Sequence, residues 1–197
     1  MTQIILEIFI VFILPVLLLY WKVISVEKRL RVLYAMNLAA LLFIVLRGWD
    51  LKKLGIRFDN FTRLLPIYAL FTITGIVILF LSAIILNIQK NKEKKDFLFI
   101  WHCTKISVLQ ETIYRGYLMP LLGLFFGPVW TILLNSILFT YVHVIYQNKK
   151  TTLGLAFIAG ISFATIYSFY PNLILISMTH IIFNYVAVSL GFFKLPQ

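Results

Sequence analysis

Charge is scarce in this sequence, and acidic charge is scarcest. Of 197 residues 13% are Asp, Glu, Lys or Arg, and only 7 are acidic. A soluble domain is nearer 25% charged and about half apolar. Here 61% of the chain is hydrophobic and the mean hydropathy is +0.96, which excludes a water-soluble globular protein. Cysteine is almost missing. Cys103 stands alone, so there is no disulfide framework and no cysteine-based metal site, and it reads as a small core residue. No repeat of 20–50 residues and no low-complexity run occurs, which leaves out solenoid architectures. A cleavable signal peptide is not expected. The first apolar run is longer than a signal h-region and has no basic segment before it.

What the chain does have is apolar runs, at about residues 4–21, 32–46, 64–88, 97–124, 129–146, 152–169 and 173–193. Most are long enough for a helix to cross about 30 Å of hydrocarbon. The pattern predicts an all-α, polytopic transmembrane bundle, with residues 1–197 forming one integral-membrane domain. Seven spans are expected, or eight if Gly116 and Pro120 divide the fourth run. Between the second and third runs, Arg47 to Arg63 alternates bulky apolar and charged residues, as an interfacial segment on the membrane surface would. Glu7 lies near the start of the first run and reads as reaching the headgroups. Ala156, Gly160 and Ala164 recur at four-residue spacing, a pattern that lets helix backbones approach closely.

The formal net charge of +11 would suggest nucleic-acid binding in a soluble protein. Here the basic residues sit in short connections, so the expected partner is the bilayer and not nucleic acid. With seven spans, one side holds Arg47, Lys52, Lys53, Arg57 and Arg63. The other holds Lys22, Lys28, Arg29, Arg31, Lys90, Lys92, Lys94, Lys95, Lys149, Lys150 and Lys194. Eleven against five places the second side in the cytoplasm and the N-terminus outside.

Few ionisable residues fall inside the runs. His102 and Lys105 are within about two turns of a basic connection and can snorkel toward it. Glu111, Arg115, His143 and His180 cannot. Glu111 and Arg115 belong to the stretch Gln110-Glu111-Thr112-Ile113-Tyr114-Arg115-Gly116-Tyr117-Leu118-Met119-Pro120. Four residues apart on a helix, they share a face and can form a charge-assisted hydrogen bond. Two readings follow. One is a structural network that clamps the bundle. The other is a functional site, the default meaning of ionisable groups inside a membrane. The stripes Ser177, His180, Asn184 and Ser136, Thr140, His143 suggest polar faces meeting around a water-accessible cavity.

The order E-xxx-R-G, then Phe139-xxx-His143, then His180-xxx-Asn184 resembles the CPBP family. These are the CAAX-protease and bacteriocin-processing intramembrane proteases, including type II CAAX prenyl endopeptidase-like and Abi proteins. Tyr114, Gly116 to Pro120, Gly160, Tyr167 and Pro171-Asn172-Leu173 extend the likeness, which covers about residues 97–190. The resemblance implies a membrane peptidase acting on a peptide or small-protein substrate, its site open toward the cytoplasmic leaflet. By carry-over His143 helps position water, His180 and Asn184 form an oxyanion hole, and Arg115 orients the motif carboxylate. Glu111, His143 and His180 are side chains that can ligate zinc. The H-E-x-x-H zinc-protease helix is absent, so no cofactor is expected.

One departure stands out. The family motif is E-E-xxx-R, and Gln110 occupies the place of the first Glu, the general base that the resemblance implies. Glutamine takes no proton from water at neutral pH. Three explanations stay open: Glu111 serves as base; the chain is a non-catalytic scaffold or bacteriocin-immunity protein; or Gln110 is an inactivating replacement. The abundance of Ile, Phe and Lys fits a low-GC bacterium, hence a bacterial cytoplasmic membrane and peptide processing. A transporter is disfavoured, since neither an inverted repeat nor paired broken helices are visible. The oligomeric state is left open.

Overall fold

Long apolar runs in lipid must satisfy their own backbone hydrogen bonds, and the chain does so by coiling into helices. A computed structural model describes residues 2–88, 97–145 and 149–192, with side chains from 152 onward in the last stretch. All regular structure among these residues is helical. We number the helices α1 (Thr2–Tyr20), α2 (Val26–Leu46), α3 (Phe61–Ile85), α4 (97–123), α5 (Pro128–Ile145), α6 (Lys149–Phe169) and α7 (Leu173–Leu190). Six of them, all but α4, are long and apolar enough to cross a membrane, near the seven to eight expected. Helix α4 has the length, but it carries Lys105, Glu111 and Arg115.

Gly116 and Pro120 do not divide α4. Residues Thr112–Leu118 form a π turn, and Pro120 lies at the start of the α-helical turn that follows, where its missing N–H is tolerated. A second π turn, Phe9–Ile13, lies in α1. Elsewhere the breaks follow local chemistry. Extended Gly127 and then Pro128 open α5. Asn172 caps α7, its Oδ1 accepting from the Leu175 N–H at 3.0 Å. Gly191, at φ 94°, closes that helix.

Helix α7 is the centre of the bundle: half of its span is buried, and it packs against both α3 and α4. Helix α6 packs along α5. There Gly160 fits against the Ser136 backbone, where an added Cβ would come within 3.2 Å of the Ser136 Cα. Ala156 and Ala164 are buried beside it, as the small-residue spacing predicts. Helices α3 and α6 meet where the Phe71 ring packs 5.7 Å from that of Phe163, and both line the cavity described below.

Two expectations need correction. Glu7 does not reach the headgroups. It is 1% exposed, with the Arg47 guanidinium donating to Oε1 at 2.6 Å and the Tyr117 hydroxyl to Oε2 at 2.7 Å. A carboxylate one turn into an apolar helix found protein donors nearer than water. Nor does the segment after α2 simply lie on a membrane surface. Leu54 and Asn60 are buried, and Tyr167 donates to the Leu54 carbonyl at 3.0 Å. Asn172 donates to the Arg57 carbonyl at 2.8 Å and to Asn60 at 2.7 Å. Only its outer side chains, such as Leu51 and Phe58, remain exposed. Lys90, Lys92, Lys94, Lys95 and Lys194, counted for orientation, lie outside the described residues, as do the side chains of Lys149 and Lys150.

Candidate active site

The site is built on one face of α4. Cys103, Ser107, Glu111 and Arg115 follow at four-residue spacing, and all four are buried. Glu111 and Arg115 are each 0% exposed, and the guanidinium Nη1 donates to Glu111 Oε1 at 3.3 Å. The same oxygen meets His180 Nδ1 of α7 at 2.6 Å. Arg115 reaches onward, Nη2 donating to the Gly160 carbonyl of α6 at 3.2 Å. Its guanidinium carbon lies 4.5 Å from the Phe139 ring centre and 5.5 Å from that of Phe163. Two aromatic faces and a carboxylate thus replace the water that a buried cation has lost.

His180 lines a cavity of about 180 Å³ between α3, α5, α6 and α7. His143 and Asn184 line it too; most of the remaining wall is apolar, with Phe71, Ile78, Leu79 and Phe183 among it. The rings of His143 and His180 lie 5.1 and 5.9 Å from that of Phe139, so one aromatic side chain separates them. His143 Nδ1 is 2.9 Å from the Phe139 carbonyl, which makes that nitrogen the protonated one in the neutral ring. Asn184 is oriented by Ser107. The Ser107 hydroxyl donates to the Cys103 carbonyl at 2.8 Å, so its oxygen is free to accept from Asn184 Nδ2 at 2.9 Å.

Residues 92–186 match a family model described as type II CAAX prenyl endopeptidase Rce1-like. This segment belongs to the CAAX-protease family. No curated protein and no solved structure matches the chain significantly. The matched stretch overlaps the resemblance drawn over residues 97–190 and contains every residue of its motifs.

Within this CAAX-protease segment the expected residues are not all equivalent. His143, His180 and Asn184 border the cavity; Glu111 and Arg115 lie behind it, reaching it through His180, Phe139 and Phe163. Gln110 is apart. It lines a smaller cavity of about 30 Å³ with Val16, Leu19, Arg29 and Ile106, closed by Val142 and Ile145 on either side of His143 in the chain. Among the described residues, no three His, Cys, Asp or Glu side chains are grouped to hold a metal ion. The stripe on α5 is less polar than its sequence. Ser136 and Thr140 each donate, at 2.7 Å, to the carbonyl four residues back in their own helix.

Two supporting residues escaped the sequence reading. Ser107 was legible in principle, because it stands one helical step before Glu111 on the same face. Asn135 was not. Its Nδ2 donates to the Tyr114 carbonyl at 2.7 Å, holding a backbone group of the π turn. Nothing in an apolar run announces that a helix will wind as a π turn there.

Proposed function

We propose that the protein is an intramembrane endopeptidase that hydrolyses a membrane-associated peptide or prepeptide, with water activated by the Glu111 and His180 pair. The observation that carries this reading is the 2.6 Å contact between a fully buried carboxylate and a histidine that borders an apolar cavity. Peptide hydrolysis needs a proton acceptor for water and donors for the tetrahedral oxyanion. Histidine and carboxylate supply the first, and Asn184 is set beside them as a donor. His143, across Phe139, helps to hold the water. Arg115 fixes Glu111 by donating to Oε1. The cavity has room for an apolar, aromatic-sized group, comparable to cavities that take up benzene. A substrate side chain or lipid-like attachment would enter between α3 and α6. The expected setting is a bacterial cytoplasmic membrane with the 21–25 and 86–96 connections inside, and the reading assigns no step to a metal.

The test is hydrolysis of membrane-anchored, fluorophore-quenched peptides by the protein in liposomes. The parent chain should cleave at least one peptide that it binds, Glu111→Gln should stop cleavage, and Asn184→Ala should slow it by roughly 100–1,000-fold. Gln110 favours a second reading, a membrane scaffold or immunity protein that binds a peptide without cutting it. That reading predicts binding retained in Glu111→Gln and no hydrolysis by any variant.

A further inference from the structure

The hydrogen bonding around the site points to a division of labour that differs from the one the family resemblance implies. A carboxylate only accepts hydrogen bonds. Glu111 Oε1 already accepts from Arg115 Nη1, and with the carboxylate as acceptor the proton in its 2.6 Å contact with His180 belongs to His180 Nδ1. In the neutral ring the proton is then fixed on Nδ1, and Nε2 carries a lone pair. No described residue hydrogen-bonds to Nε2. It lies on the ring edge away from Glu111, in a residue that borders the large cavity. A nitrogen with a lone pair accepts a proton and cannot donate to an oxyanion.

We infer that His180 Nε2 is the general base of the site, that Glu111 orients it without itself taking the proton, and that the oxyanion is received by Asn184. This rests on the peptidase reading above. In the attacking step a water O–H proton passes to Nε2 as the water oxygen bonds to the scissile carbonyl carbon. The carbonyl oxygen becomes the oxyanion. In the second step the C–N bond breaks, and the proton on Nε2 goes to the departing amine nitrogen, leaving a carboxyl and an amine. Asn184 suits its part because its orientation is fixed. Ser107 gives its only hydrogen to the Cys103 carbonyl, so it must accept from the Asn184 amide nitrogen. One N–H of Asn184 is used in that bond, and the other remains for the oxyanion. Glu111 keeps the imidazole in the required tautomer and stabilises the imidazolium after proton transfer, as an acidic partner does for a catalytic histidine in serine proteases.

The chain has 3 histidines, which makes the test direct. The full-length protein is labelled with ¹⁵N-histidine, reconstituted in lipid, and examined by solid-state NMR at pH 7. The His180 signals are assigned by comparing the parent with His102→Gln and His143→Gln. His180 is expected as a neutral ring protonated at Nδ1, with that preference lost in Glu111→Ala. A neutral ring protonated at Nε2, or an imidazolium, would overturn the assignment, because either form is a donor toward the cavity. The readout needs no substrate. A parent chain that binds but hydrolyses no peptide sinks the peptidase reading, whereas the wrong tautomer in a cleaving protein sinks only the assignment of the base. In a cleaving protein, Glu111→Gln is expected to lower kcat by roughly 100–10,000-fold with little change in KM.

Discussion

Removing the Glu7 carboxylate is the sharpest perturbation outside the site. Its two oxygens accept from Arg47 at 2.6 Å and from Tyr117 at 2.7 Å, and Glu7 itself is 1% exposed. Glu7→Ala leaves the Tyr117 hydroxyl buried without a partner, which costs about 1–3 kcal/mol. It also strands Arg47. Breaking a wholly buried pair costs about 3–5 kcal/mol, but the Arg47 side chain is 22% exposed and keeps some hydration, so about 1–2 kcal/mol is appropriate. The expected destabilisation is therefore about 2–5 kcal/mol. Glu7→Gln, which keeps one acceptor, should cost roughly half as much. Unfolding from mixed micelles by SDS titration, followed by loss of tertiary signal, measures both. A double-mutant cycle of Glu7→Ala with Tyr117→Phe should show a coupling of about 1 kcal/mol or more. If Glu7→Ala stayed within about 0.5 kcal/mol of the parent, as exposed substitutions do, the buried clamp would be refuted and the headgroup position of Glu7 restored.

Three further outcomes are expected. Gly160→Ala places a Cβ 3.2 Å from the Ser136 Cα and 3.3 Å from Phe139, so α6 must shift and carry the Arg115 acceptor with it; about 1–3 kcal/mol should be lost in the same titration. Asn172→Ala removes the cap of α7 and two ties to the segment after α2. Limited proteolysis of that variant should cut within residues 50–60 faster than in the parent, and equal rates would show that the ties do not hold the segment. For orientation, a cysteine placed at Lys92 in a Cys103→Ala background should resist an impermeant thiol reagent applied outside, while one placed at Lys52 should react; the reverse pattern would invert the topology.

The helices were legible because hydrophobic length is a strong signal in a membrane protein. The interior site was legible because Glu111, Arg115, His143 and His180 are too costly in lipid to lack a partner. What the sequence did not carry was direction. Glu7 and Glu111 are both carboxylates in apolar runs, and only the fold tells which oxygen meets which donor. The segment from Arg47 to Arg63 reads as interfacial from its alternation, but Asn172, 112 residues after Asn60, ties it down through a hydrogen bond that no local pattern announces. Ser136 and Thr140 show the opposite error: hydroxyls placed to line a cavity bond back to their own helix. Residue type set the chemistry available, and long-range packing chose which groups face one another.

Residue 110 is where that choice has the greatest consequence. Successive residues on an α-helix are turned by about 100°, and here that turn sends residues 110 and 111 to different neighbours. Glu111 points to His180, and Gln110 lines the smaller cavity against α1, α2 and the end of α5. The setting of that helix is held from outside the matched segment 92–186. Phe12 of the α1 π turn packs 5.3 Å from Tyr114 and stacks 6.3 Å from Tyr117, and Glu7 holds the Tyr117 hydroxyl. A carboxylate at 110 would therefore stand beside Val142 and Ile145, on the side of His143, and not beside His180. Gln110→Glu should raise peptide hydrolysis by supplying a second proton acceptor there. The gain should couple to His143 and be independent of the orienting contact between Glu111 and His180. Measured as ratios of kcat/KM, the effect of Gln110→Glu should fall to about one in a His143→Ala background. In a Glu111→Gln background it should persist, as rescue of activity. A gain that survives His143→Ala but disappears in Glu111→Gln would mean that residue 110 works through His180, and would refute the separation of the two cavities.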